Sequence, residues 1–176
     1  RPIWVASSTH EGEESAVLSA HRQLLKRFPG LCLILAPRHP ERGDIVEQLI
    51  ASDGLSYRRR SRGEAPGGQV YLADTMGELG LWYEMAEIVF LGGSLLPIGG
   101  HNPFEVAQAG AAVLTGNHVA AFAETYALLE TEGAARIIAD GDDLAARVAV
   151  LLTDPDELAA MTSAAQRFTA TQDDQL

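Results

Sequence analysis

Val89-Phe90-Leu91-Gly92-Gly93-Ser94-Leu95-Leu96-Pro97-Ile98-Gly99-Gly100-His101-Asn102-Pro103-Phe104-Glu105 decides how the rest of the chain is read. It predicts a buried strand, a glycine-rich turn and a helix start. Two glycine pairs flank a short apolar segment, so backbone can approach something bulky at both places. Asn102 suits an N-cap, Pro103 the first helical position, and Glu105 stands three residues after the cap. The helix is expected through Phe104, Val106, Ala107 and Ala109, ending at Gly110. Two readings are open. Free N–H groups at a helix start attract an anion; equally, Asn102 and Glu105 can close a capping box that needs no ligand. His101 is not required for capping and is free to donate to a ligand.

Composition narrows the classes. Hydrophobic residues make up 47%, which excludes a disordered chain, and 176 residues suffice for one domain with a real core. The 13 Lys+Arg against 24 Asp+Glu give a net charge of −11, the wrong sign for a nucleic-acid surface. Cys32 stands alone in an apolar run, so no disulfide forms within the chain. No apolar run reaches membrane-spanning length. The chain opens on Arg1 rather than Met and enters a strand at once, which reads as a domain of a longer protein.

Strand and helix patterns alternate outward from the glycine-rich stretch. Strands are expected at 2–7, 31–36, 55–58, 69–74, 86–91, 111–114 and 135–138. Helices are expected at 13–28, 42–52, 75–85, 102–110, 120–130, 142–152 and 154–168, with 169–176 a fraying polar tail. Val17, Leu18, His21, Leu24, Leu25 and Phe28 recur near the helical period, which puts His21 on an apolar face. The basic run Arg58-Arg59-Arg60 with Arg62 is expected in a mobile surface loop reaching Pro66. Such alternation means an α/β fold, a parallel sheet with helices on both faces. Thr9-His10, Arg38-His39, Thr75-Met76-Gly77-Glu78, Ser94 and the 99–105 segment then all follow strands. In an open parallel sheet those positions share the carboxyl edge, where ligands bind.

The residue types at that edge suit a nucleotide. The fork of Arg38 fits a phosphate or carboxylate, although pairing with Glu41 is an equal alternative. Met76-Gly77-Glu78 can present backbone groups to a base or ribose, or Thr75 and Glu78 can simply cap a helix. Glu105 can accept from two ribose hydroxyls. His10, His39, His101 and His118 lack metal-ligand spacing on one element, so no metal is expected. Ser94 lacks a nucleophile elbow, and neither a Walker Lys nor a Gly-x-Gly-x-x-Gly follows the first strand, so no cofactor is expected.

Four segments in this order resemble one family. Ala6-Ser7-Ser8-Thr9-His10-Glu11-Gly12-Glu13-Glu14, Pro37-Arg38-His39-Pro40-Glu41-Arg42, Asp74-Thr75-Met76-Gly77-Glu78-Leu79 and Gly92 through Glu105 look like the carboxyl-terminal half of 3-deoxy-D-manno-octulosonic acid (Kdo) transferases. The resemblance covers nearly the whole chain. It implies a Rossmann-like domain, the C-terminal half of a GT-B glycosyltransferase, with residues 1–168 binding the nucleotide-sugar donor CMP-Kdo. It implies donor contacts from Pro37, Arg38, Met76, Gly77, Glu78, Ser94, Gly99, Gly100, His101, Asn102, Pro103, Phe104 and Glu105. It further implies inverting, metal-independent transfer to a lipid A precursor in lipopolysaccharide synthesis, at the cytoplasmic face of the bacterial inner membrane. The catalytic base, acceptor groove and membrane contact belong to the amino-terminal half, so this segment alone is expected to be inactive. The chain departs from the family at Asn117 and Ala121, where Pro and Asn are usual, and at Phe104 and Val106. Alternatives are a UDP-sugar transferase or epimerase domain, or a non-catalytic nucleotide-sugar module.

Overall fold

Strands β1 (Ile3–Thr9), β2 (Cys32–Pro37), β3 (Tyr57–Arg59), β4 (Val70–Leu72), β5 (Ile88–Leu91), β6 (Ala112–Thr115) and β7 (Ala135–Ile137) form one sheet. Its order is β3-β4-β2-β1-β5-β6-β7, and every neighbouring pair is parallel. The structure is a computed structural model that describes residues 1–174. The chain builds outward from β1 to one side, then returns to add β5 on the other. The loops leaving β1 and β5 therefore part company, and a cleft opens at their carboxyl ends.

Helices α1 (Glu13–Arg27), α2 (Gly43–Ser52), α3 (Leu79–Met85), α4 (Phe104–Gln108), α5 (Ala123–Thr131), α6 (Gly141–Thr153) and α7 (Pro155–Asp174) cover both faces. Alternation along the strands sorts two cores. Trp4 and Ala6 of β1 and Leu33 and Leu35 of β2 join Val17, Leu18, Val46, Ile50, Leu144 and Val148. Val5, Cys32 and Ile34 face the opposite way, against Trp82, Tyr83, Val106, Tyr126, Leu129 and Phe168. Both strand faces are apolar because both are covered, which is why these strands read as continuous hydrophobic runs. His21 is fully buried in the first core. The Trp4 indole N–H donates to its Nδ1 at 3.1 Å, so Nε2 carries the proton and donates to the Gln69 carbonyl at 2.8 Å.

Three expectations need correction. Residues 58–66 are not a mobile loop. Arg59 lies in β3, a 3-10 turn follows at Arg60–Arg62, and the segment is held by ion pairs. Arg59 donates to Asp74 at 2.6 Å and to Asp44 at 2.7 Å, and Arg62 pairs with Glu47. Polarity alone could not separate a solvated run from one whose carboxylates come from α2 and the end of β4. Helix α7 does not end at Phe168: it continues to Asp174, with Thr169 buried and bonded to the Ala165 carbonyl. The last part of the expected tail, 175–176, lies outside the described residues. Thr75 is not a helix cap, because α3 begins at Leu79; its hydroxyl donates instead to the Glu78 carboxylate.

Candidate functional site

The carboxyl ends of β1 and β5 are tied together by one buried side chain. Glu13, at the start of α1, is fully buried. Its Oε1 accepts from the His10 and Gly93 amides at 2.9 and 2.7 Å, and its Oε2 from those of Ser94 and Leu95, both at 3.0 Å. The amides of the first glycine turn are thus occupied by a carboxylate from within the chain. The turn is also closely packed. A Cβ on Gly92 would stand 2.5 Å from the Ser8 carbonyl oxygen, so only glycine allows the two strand exits to pass. The Ser94 hydroxyl donates to the Leu91 carbonyl at 2.6 Å and accepts from the Gly116 amide at 2.9 Å, fully buried. Ser94 is therefore part of the scaffold and its side chain does not face a ligand.

The open space lies one layer further out. A cavity of about 270 Å³ is lined by Ser8, Ala36, Pro37, Arg38, Pro40, Thr75, Met76, Gly77, Leu79, Tyr83, Leu91, His101, Asn102 and Glu105. Three strand-end loops and the face of α3 converge there. Arg38 is anchored through its backbone amide, which donates to the Thr9 carbonyl at 2.9 Å. Its guanidinium has no hydrogen-bond or ion-pair partner among the described residues. The anticipated pairing with Glu41 does not form; Glu41 lies 3.7 Å from His39 instead. Glu105 is exposed on the opposite wall, and Met76 is 73% exposed above the cavity. Tyr83 closes the back. Its hydroxyl shares a 2.8 Å hydrogen bond with Ser7, and burial, together with the Glu105 charge and against that bond, raises its pKa to about 12. The phenol therefore stays neutral and available as a donor at physiological pH. Ser8, the single non-glycine residue with positive φ (56°) among those described, forms part of the wall. Such strain persists where surrounding structure enforces it.

His101 joins the wall to a histidine cluster. Its ring stacks on His10 with centroids 5.2 Å apart, and the two Nε2 atoms are 2.9 Å apart, so one holds a proton and the other accepts it. His39 meets His10 edge-on at 5.5 Å. Burial lowers the pKa of His10 despite the opposing charge of Glu13; burial, His10 and Arg38 lower that of His101. No group of three or more His, Cys, Asp or Glu side chains suited to a metal occurs among the described residues.

The sequence reading and the cavity agree at Pro37, Arg38, Met76, Gly77, His101, Asn102 and Glu105. They differ at six positions. Ser94, Glu78, Gly99, Gly100, Pro103 and Phe104 do not line the cavity. Glu78 is turned away, its carboxylate held by Arg60 and Thr75. Gly99 and Gly100 shape the approach to His101, while Pro103 and Phe104 carry the chain into α4. His118 is also away from the wall; its amide donates to the Ser94 carbonyl. The capping box does not form either. Asn102 accepts from the Phe104 amide at 3.0 Å, leaving Glu105 free to face the cavity. Helix α4 is only five residues long, so its dipole is small and the anion attraction falls to Arg38. Missed wall residues include Ser8 and Tyr83. Ser8 was signalled by its place at the carboxyl end of β1, and Tyr83 by its spacing of four from Leu79 on one helix face.

In architecture, a parallel sheet with a ligand-sized cavity at the β1/β5 reversal is a Rossmann-like domain, and its structural neighbours are domains of GT-B glycosyltransferases. No family model matches the chain. It is 44% identical over 155 residues to the 3-deoxy-D-manno-octulosonic acid transferase of Haemophilus influenzae, which covers 86% of this chain and 36% of that protein. The C-terminal CMP-Kdo binding domain of WaaA from Acinetobacter baumannii superposes with a TM-score of 0.91 at 34% identity, covering 95% of this chain and 88% of that one. The chain belongs to the Kdo transferase family and spans about a third of the length of the curated relatives it matches. The C-terminal domain of a group 1 glycosyl transferase from Francisella tularensis, 14% identical with a TM-score of 0.66, shares the fold alone.

Proposed function

We propose that this domain binds CMP-Kdo, and that the whole protein transfers Kdo from it to a lipid A precursor. The observation that carries the reading is the unpaired Arg38 guanidinium on the wall of a nucleotide-sized cavity. A cation without a protein partner, facing a cavity whose other wall offers Glu105 and backbone groups, suits a phosphate joined to a ribose and a base. CMP is then the leaving group. Arg38 stabilises the charge that grows on its phosphate as the sugar bond breaks. Tyr83 and Asn102 supply neutral hydrogen-bonding groups, and Glu105 accepts from ribose hydroxyls. His101 is placed for the carboxylate of the ulosonic acid, and His118 is not. The acceptor hydroxyl is deprotonated by a base in the amino-terminal half, in an inverting transfer that uses no metal, at the cytoplasmic face of the inner membrane. Contact with the acceptor's lipid surface is assigned to that other half; among the described residues no helix is long and apolar enough to cross a membrane.

Calorimetric titration with CMP, UMP and AMP tests the reading. CMP is expected to bind in preference to both. Arg38→Ala is expected to weaken CMP by more than about tenfold, since hydrogen bonds to charged groups contribute about 1.5–3 kcal/mol. A preference for UMP would sink the Kdo assignment and leave a uridine-nucleotide domain of the same architecture.

A further inference from the structure

The nucleotide-facing loop 75–78 has no element of its own. It leaves β4, passes Gly77 with φ at +75°, and reaches α3 only at Leu79. Met76 and Gly77 nevertheless form part of the cavity wall, and must be held there by something outside the loop. That support comes from the basic run on the edge strand. Arg60 grips the Glu78 carboxylate with both arms of its fork, Nε to Oε1 at 3.2 Å and Nη2 to Oε2 at 2.9 Å. Thr75 donates to the same carboxylate from the other end of the loop, so one arginine fixes both ends. The guanidinium also lies 5.4 Å over the ring of Trp82, a buried residue of α3. A fork that is bidentate on one side and stacked on an aromatic face is restricted in both angle and position.

The base of Arg60 is equally fixed. Arg59 bonds Asp74 through Nε at 2.6 Å, while the Ser61 amide and hydroxyl bond the same carboxylate at 3.0 and 2.7 Å. Both neighbours of Arg60 are thus fastened to the residue that precedes Thr75. The Tyr71 hydroxyl donates to the Glu64 carbonyl at 2.6 Å and the Arg59 amide to the Glu64 carboxylate at 2.9 Å, closing the turn. Edge strand, 3-10 turn and loop move as one piece.

We infer that Arg60 is a positioning residue for donor binding: it touches no part of the cavity itself and sets loop 75–78 in the shape that receives the nucleotide. The inference rests on the proposed donor reading of the cavity, and the test separates the two. Amide hydrogen exchange at the exit of the loop, at Leu81 and Trp82, whose amides donate to the Glu78 carbonyl, is measured without nucleotide in the unaltered chain, Arg60→Ala, Arg60→Lys and Arg62→Ala. Arg60→Ala is expected to speed exchange there about fivefold or more while α2 is unchanged. Arg60→Lys, which keeps the charge and loses the fork, is expected to recover only part of the protection. Arg62→Ala, whose partner is Glu47, is expected to leave the loop as it was. CMP affinity is expected to follow the same order, falling about fivefold in Arg60→Ala. Unchanged exchange at these amides in Arg60→Ala overturns the inference, as does a loosened loop with undiminished CMP affinity. Should Arg60→Ala loosen the whole sheet, Arg60→Lys decides by the same two readouts. If the unaltered chain bound UMP instead of CMP, the donor assignment would fall while the exchange data, repeated with UMP, would still decide the role of Arg60.

Discussion

The two glycine pairs, Gly92-Gly93 and Gly99-Gly100, look alike in the sequence and do opposite things in the fold. The first pair is buried: the Gly92 amide donates to the Ser7 carbonyl, and the Gly93 amide to the Glu13 carboxylate. The second is partly exposed, resting against Val119 and Ala121, and leads directly to His101 and Asn102 on the cavity wall. One turn is closed by partners within the chain, and the other delivers side chains to the cavity. Glycine-rich turns after strands are therefore ambiguous until the occupant of their amides is known. Here that occupant lies 80 residues away in the sequence, at the start of the first helix.

The largest test of this contrast is Glu13→Ala. It strands several buried amides at once and is expected to cost about 4 kcal/mol, since each unsatisfied donor costs about 1–3 kcal/mol and a few rehydrate. Thermal unfolding should then shift down by roughly 12 °C for a chain of this size. A shift of only a degree or two would mean that the amides find other partners, and the first turn would be as open to ligands as the second.

A pH titration of stability sharpens the comparison by measuring a buried group that belongs to neither turn. Burial lowers the pKa of His21 to about 4, against the raising effect of the Gln69 carbonyl. In the unfolded chain the ring titrates near its ordinary 6.5. Protonation therefore favours the unfolded state as pH falls below 6.5, and the loss is complete below about 4. Each pH unit in that window costs about 1.4 kcal/mol, or roughly 3 kcal/mol in all. Urea unfolding at pH 7 and pH 5 should show about 2 kcal/mol of this, absent in His21→Gln. An equal pH dependence in both proteins would assign it to the histidine cluster at the cavity instead.

The smallest effect is expected at Gly99→Ala. Its φ of +114° strains any side chain, but an added Cβ meets only Ala121 at 3.6 Å. Stability should fall by about 1–2 kcal/mol. CMP affinity should fall several-fold as well, because the backbone that carries His101 and Asn102 is redirected. Stability loss with intact affinity would place Gly99 with the scaffold rather than the site.

Much of the fold was legible in the sequence because the five inner strands are covered on both faces and most helices keep a periodic apolar stripe. Strands 31–36 and 111–114 are unbroken apolar runs for that reason. The boundaries shifted where local polarity misled: Thr169 reads as tail but is buried against α7's own preceding turn, and Arg58 to Arg62 reads as a solvated run but meets Asp44, Glu47 and Asp74. In the site, Arg38 was readable because it directly follows a buried strand, and Glu105 because it opens the helix after the glycine-rich turn. Glu13 and Arg60 were not. Each acts through a partner from a distant segment, and no local spacing records such a pairing. Glu78 shows the reverse error: a motif residue that faces an arginine rather than the cavity.

The carboxylate of Glu13 also bears on how such a domain can change over generations. Glu13 and the 93–95 amides stand or fall together, so a change at one side is tolerated only with a matching change at the other. Segment 99–105, by contrast, has no hydrogen-bond partner in α1 among the described residues, whereas Gly116 and His118 are tied to Ser94. Ala121 lies against the approach to the second glycine pair. The cavity-facing segment can therefore be altered without stranding the Glu13 carboxylate at the frame of the cleft.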